Sequence, residues 1–220
     1  MSSLRIVFMG TPEFATPSLQ VLLNQKKNVV GVVTAEDKPQ GRGQKPGISP
    51  VKNLALQHGL KILQPNKLKD SNFINELRAL KADLCIVVAF RMLPEMVWSM
   101  PGFGTFNLHA SLLPQYRGAA PVNWAIINGE TETGVTTFFL KQEIDTGEII
   151  FQEAEPIYND DDAGALYNRL MEKGSRLVLK TVESIETGTV KTAPQIIKGP
   201  LKNAPKIFKE TCQIDWNKTG

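Results

Sequence analysis

Short runs of β-branched and apolar residues alternate along this chain with segments whose apolar positions recur at helical spacing. The runs Leu4 to Met9, Asn28 to Thr34, Leu60 to Leu63, Asp83 to Phe90 and Thr105 to His109 read as strands. Between them, Pro17 to Leu23, Pro50 to His58, Asn72 to Leu80 and Pro94 to Ser99 read as helices. Strand and helix taking turns predicts a parallel sheet joined by crossover helices, an α/β fold. After a further helix, Pro121 to Ile127, two strands follow with only a short loop between them, Gly134 to Leu140 and Glu148 to Ile157. So short a connection cannot carry a crossover, so the mostly parallel sheet is expected to have an antiparallel edge. Asp162 to Glu186 then reads as a long amphipathic helix with Leu166, Leu170, Leu177 and Val178 turned toward the sheet.

With 220 residues, 42% of them hydrophobic, the chain can bury a substantial core, expected as one domain with a short extension. Its two cysteines, Cys85 and Cys212, show neither metal-ligand spacing nor a disulfide framework, which suits a reducing, cytoplasmic setting. No apolar stretch approaches the roughly 18 residues of a membrane span. The net charge of +3 is too small to argue for a nucleic-acid partner. Its distribution says more, because Lys38, Arg42, Lys45 and Lys52 gather around the Gly- and Pro-rich stretch Asp37 to Pro50. That stretch is either a solvated loop or a segment that settles on a polyanion. A second basic cluster, Lys191, Lys198, Lys202, Lys206 and Lys209, reads as a hydrophilic linker.

The densest chemistry lies in Asn107-Leu108-His109-Ala110-Ser111-Leu112-Leu113-Pro114 and, further on, Asp145-Thr146-Gly147. Two residues apart in a strand, Asn107 and His109 leave the same face of the sheet, one able to stabilise an oxyanion and the other to move a proton. Ligands of open α/β sheets sit beyond the carboxyl ends of the strands, which is where His109 falls. A carboxylate from Asp145 would orient the imidazole and keep it basic. Each part also has a plain structural reading: a hydrogen-bonded core histidine and an ordinary Asp-Thr-Gly turn. The other histidine, His58, reads as an exposed helix end. Gly10-Thr11-Pro12-Glu13-Phe14 follows the first strand with one glycine where a dinucleotide site needs three, and Gly41-Arg42-Gly43-Gln44-Lys45-Pro46-Gly47 lacks the Gly-Lys-Ser/Thr of a phosphate loop. Ser111 lacks a nucleophile-elbow pattern. What remains fits direct acyl transfer to an amine, with a hydrolase using Ser111 as the alternative.

On these residues the chain resembles the catalytic domain of the methionyl-tRNA formyltransferases. The resemblance implies a Rossmann-like three-layer formyltransferase fold and a catalytic Asn107, His109 and Asp145. It also implies transfer of a formyl group from 10-formyltetrahydrofolate, as cosubstrate and without a metal, to methionyl initiator tRNA. Ser111, Leu112, Leu113 and Pro114 resemble the family's folate-binding signature. Phe90, Arg91, Met92 and Leu93, with the loop Lys141 to Ile144, fall where the resemblance puts the pterin ring. Arg42, with Lys38, Lys45, Thr11 and Phe14, falls on the stretches similar to those that meet the tRNA. Residues 1–190 would then be the catalytic domain, 191–209 a basic linker and 210–220 the start of an oligonucleotide-binding domain, in a monomeric protein. The catalytic three are shared by folate-dependent formyltransferases generally, so glycinamide ribonucleotide and amino-sugar nucleotides stay open as acceptors, as does a non-enzymatic nucleic-acid module using the basic loop. The first of these would be expected to carry a Gly-, Ser- and Asn-rich phosphate cradle where Pro12-Glu13-Phe14 stands.

Overall fold

A seven-stranded sheet organises the chain. The computed structural model describes residues 3–40, 45–197, 199–213 and 216, with the side chains of 38–40 and 45–46 excepted. In chain order the elements are β1 (Ile6–Gly10), α1 (Thr16–Asn24), β2 (Val29–Val33), β3 (Lys38–Gln40), β4 (Lys45–Gly47), α2 (Pro50–Gln57), β5 (Ile62–Leu63), α3 (Ser71–Ala79) and β6 (Leu84–Val88). There follow α4 (Glu95–Trp98), β7 (Thr105–His109), β8 (Arg117–Gly118), α5 (Pro121–Ile127), β9 (Glu132–Phe139), β10 (Ile149–Pro156), α6 (Ala163–Glu186) and β11 (Asn203–Ala204). Local chemistry sets several boundaries. Ser49, Asp70 and Asp162 cap α2, α3 and α6 by accepting backbone N–H groups of the first turn, and Pro50 occupies a first-turn position that needs no donor.

The strand order is β10-β9-β7-β6-β1-β2-β5. β1, β2, β5, β6 and β7 run parallel, while β9 opposes both β7 and β10 and makes the antiparallel edge. Alternate residues feed two cores. Ile6, Phe8, Ile86, Val88, Phe106 and Leu108 pack with Leu19 of α1, Leu54 of α2 and Leu170 and Leu177 of α6. Val7, Met9, Cys85 and Val87 pack with Phe73 and Leu77 of α3 and Val97 of α4. Because β1 and β6 are covered on both faces, their sequences are continuous apolar runs. The chain winds outward from β1 to β5, then returns to β6 on β1's other side, and that reversal opens a crevice at the carboxyl ends of the strands.

Two small ladders lie outside the pattern. The basic stretch contains the hairpin β3–β4, in which Lys38 pairs with Gly47 and Gln40 with Lys45. Lys, Pro, Gln and Gly have little strand preference, so only main-chain pairing makes this a hairpin. Arg42 lies outside the described residues. β11 pairs in parallel with β8, so the stretch that reads as a linker returns across the molecule and is hydrogen-bonded to its loops.

Candidate active site

β7 ends at the crevice, and its register with β6 sets Asn107 beside Val87, on the sheet face opposite Phe106 and Leu108. His109 leaves the same face two residues later and is 6% exposed. Its Nε2 lies 2.8 Å from the backbone carbonyl oxygen of Tyr116. A carbonyl only accepts, so Nε2 carries the proton and the neutral ring keeps its lone pair on Nδ1. Asp145 Oδ2 stands 3.9 Å from that Nδ1, beyond hydrogen-bond reach, and accepts instead from the N–H of Gly118 at 3.0 Å. The expectation that Asp145 orients the imidazole is thus corrected: the Tyr116 carbonyl holds the ring by Nε2, and no hydrogen bond joins it to Asp145. Asp145 is placed to attract a proton arriving at Nδ1. The Asn107 amide has no hydrogen-bond partner among the described residues.

Tyr116 has no motif to announce it, and three contacts hold it. Its N–H donates to the carbonyl of Lys202 at 2.6 Å, its hydroxyl donates to Glu130, and the Asn128 amide donates to that hydroxyl at 3.1 Å. Burial, followed by the Glu130 hydrogen bond, pushes the Tyr116 phenol up, while the Lys202 ammonium and then Tyr116 hold Glu130 below the usual carboxylate range. The backbone around the crevice is also unusual. Ala89, Tyr116 and Asp145 have φ of 46°, 59° and 53°. Among the described residues the other non-glycine residues of this kind, Lys26 and Lys81, merely close helix ends. Left-handed conformations cost on the order of 1–3 kcal/mol and tend to collect at functional sites. Asp145 reaches its position through a turn in which Gly147 is obligatory: a Cβ there would lie 1.5 Å from the carbonyl oxygen of Phe139.

These groups face a cleft of about 690 Å³, within the range of small-molecule sites. Val87, Phe90, Leu93 and Trp98 supply apolar walls, and residues 140–145 also line it. Phe90, Arg91, Met92 and Leu93 all line it, with Arg91 anchored by donating to the carbonyls of Pro65 and Asn66. Ser111, Leu112, Leu113 and Pro114 do not line it. The Ser111 hydroxyl donates to the Gln115 carbonyl at 2.6 Å, and the Leu113 N–H to Thr136. This run therefore shapes the loop that brings Tyr116 to His109. Phe14 lines the cleft, its ring edge-on to Tyr167 at 5.1 Å. Thr11 accepts from the N–H of Ala35 and so tethers the chain entering the β3–β4 hairpin, which carries Lys38 and Lys45. Cys85 is buried behind the cleft, its thiol pushed up to about 12 by burial, and offers no nucleophile. Among the described residues no three His, Cys, Asp or Glu side chains converge as a metal would need, and no helix is long and apolar enough to cross a membrane.

The fold has counterparts among known proteins. The formyl transferase family profile matches residues 4–182. A sugar 3N-formyl transferase superposes with a TM-score of 0.71 at 23% identity, covering 100% of this chain and 76% of its own. Phosphoribosylglycinamide formyltransferase from Streptococcus pneumoniae does so with 0.70 at 20% identity, covering 83% and 99%. The chain belongs to the formyl transferase family. Over 218 residues, 98% of this chain and 67% of the relative, it is 63% identical to methionyl-tRNA formyltransferase of Bacteroides fragilis. Against that of Flavobacterium johnsoniae it is 57% identical, covering 100% of this chain and 70% of the relative. Within the family it falls with the methionyl-tRNA formyltransferases.

Proposed function

We infer that this chain transfers a formyl group from 10-formyltetrahydrofolate to the α-amino group of methionyl initiator tRNA. The acceptor follows from the relatives' name. The observation that carries the chemistry is the state of His109: Nε2–H is committed to the Tyr116 carbonyl, and the Nδ1 lone pair is left near Asp145, in a cleft that Asn107 also lines. A ring fixed in this way takes a proton at one known atom.

In this reading the amine attacks the formyl carbonyl in the cleft, forming the new C–N bond. The Asn107 amide donates a hydrogen bond to the oxyanion that develops. Nδ1 of His109 takes the proton released by the attacking nitrogen. Asp145, 3.9 Å away, stabilises the imidazolium while it lasts. The proton is then delivered to the departing folate nitrogen as its bond to the formyl carbon breaks, so no covalent enzyme intermediate is needed. The apolar walls and the rim at 140–145 suit a flat heteroaromatic ring such as the pterin, with Phe90 to Leu93 alongside it. Ser111 to Pro114 would act on folate indirectly, through the loop they shape. The hairpin bearing Lys38 and Lys45 would meet the tRNA backbone, with Arg42, which follows β3 in sequence, on a phosphate and Thr11 and Phe14 near the aminoacyl end.

The test is formyl transfer from 10-formyltetrahydrofolate to methionyl initiator tRNA, glycinamide ribonucleotide and an amino-sugar nucleotide in parallel. Transfer to the tRNA alone is expected. Preferential transfer to another amine would overturn the acceptor while leaving the catalytic reading in place.

A further inference from the structure

We propose that Gln195 is a positioning residue for formyl transfer, clamping the Asp145 turn to the loop that anchors His109. It lies in the stretch after α6 that reads as a linker, yet its amide uses both ends. Nε2 donates to the carbonyl of Asp145 at 2.8 Å and to that of Gly147 at 2.9 Å. Oε1 accepts from Arg117 Nη2 at 2.6 Å and from Nε at 3.2 Å. Both donors and both acceptor sites of the amide are thereby engaged.

Its partners give these bonds their meaning. Arg117 stands between Tyr116, whose carbonyl holds His109, and Gly118, whose N–H holds the Asp145 carboxylate. One side chain therefore joins the two loops that set the His109–Asp145 separation. The turn it grips includes the left-handed Asp145, a conformation that persists only when its surroundings enforce it. Gln195 is itself delivered by main-chain pairing: Ala193 and Ile149 exchange hydrogen bonds of 2.9 and 2.8 Å at the start of β10. Gln195 does not line the cleft, so its effect on the reaction passes through Asp145.

This inference rests on the reading of Asp145 as part of the transfer machinery, and the experiment separates the two. Gln195→Ala and Gln195→Glu are made in the wild-type chain and in Asp145→Ala, and kcat, KM for 10-formyltetrahydrofolate and thermal midpoint are measured. Glutamate keeps an acceptor for Arg117 but sets carboxylate oxygen against two carbonyls, so it separates the clamp from simple loss of packing. Both variants are expected to lower kcat about 10- to 100-fold with KM changed less than about twofold, the scale of a misplaced catalytic group. In the Asp145→Ala background neither should lower kcat further, because residues acting as a unit are not additive. Wild-type kcat in Gln195→Glu, or an equal loss in both backgrounds, would overturn the proposal. Wild-type kcat in Asp145→Ala alone would overturn the underlying reading and this proposal with it.

Discussion

Two charge clusters flank β10, and they are built to opposite rules. Near its end, Arg169 of α6 donates from Nε to Glu155 at 2.7 Å, from Nη1 and Nη2 to both oxygens of Asp161 at 2.7 and 2.5 Å, and to the Pro156 carbonyl at 3.0 Å. Its guanidinium also lies over the Tyr158 ring, and Lys173 completes the partners of Glu155 at 2.9 Å. Before the start of β10, His109 and Asp145 stand 3.9 Å apart without a hydrogen bond between them. Asn107 beside them has no partner among the described residues. A saturated cluster gives its interaction energy to the folded chain. One left open keeps capacity for a substrate and a moving proton, which is why sites of chemistry break local rules that the rest of a protein obeys.

The largest effects are expected at the open cluster. Asn107→Ala, His109→Ala and Asp145→Ala should each lower kcat by about 10²- to 10⁴-fold, and combinations by less than the product. The thermal midpoint of Asn107→Ala should stay near wild type, since its amide has no partner among the described residues, while His109→Ala and Asp145→Ala should lower theirs by leaving the Tyr116 carbonyl and the Gly118 N–H without partners. A near-normal turnover for any one of them would remove it from the mechanism. Arg169→Ala should do the reverse, lowering the denaturant midpoint because Glu155 and Asp161 lose their partner, with kcat unchanged.

A smaller effect sharpens the contrast through pH. The hydrogen bonds from Arg169 hold Asp161 down from 3.8 to about 2. A carboxyl whose folded value is depressed contributes stability that is fully present above its unfolded value and is lost as pH falls through the folded one. Asp161→Asn should therefore be less stable than wild type at neutral pH, and the gap should close as the pH falls from about 4 toward about 2. A gap that stayed constant over that window would show that Asp161 acts by packing rather than by charge. Burial raises Glu155, but Lys173 and Arg169 outweigh it and its value is lowered too, so part of the acid limb should survive in Asp161→Asn.

Much of the scaffold could be read from residue pattern. Thr105–His109 and Pro121–Ile127 form where they were expected, and Leu166, Leu170, Leu177 and Val178 of α6 are fully buried against the sheet. The hairpin β3–β4 was not legible, because Lys-Pro-Gln and Lys-Pro-Gly carry no strand signal and pair only through the main chain. In the site, the shared face of Asn107 and His109 follows from strand geometry, whereas Asp145-Thr146-Gly147 read equally as an ordinary turn, and only the fold sets the Asp145 carboxylate 3.9 Å from His109 Nδ1. Whether Ser111 to Pro114 point into the cleft could not be told from residue type, since a loop residue's direction depends on what packs behind it. Here Thr136 and Gln115 pull the run away from the cleft.

Sequence by itself determined the order of the main strands and helices, the parallel sheet with its reversed edge and Asn107, His109 and Asp145 as candidates for the reacting side chains. These depend on periodicity and residue chemistry, which are local properties. Only the tertiary structure decided which nitrogen of His109 is free, how far Asp145 stands from it and what Gln195 does. Those outcomes rest on hydrogen bonds to a backbone carbonyl seven residues along and to a turn 50 residues back, contacts that exist only after distant loops have been packed together.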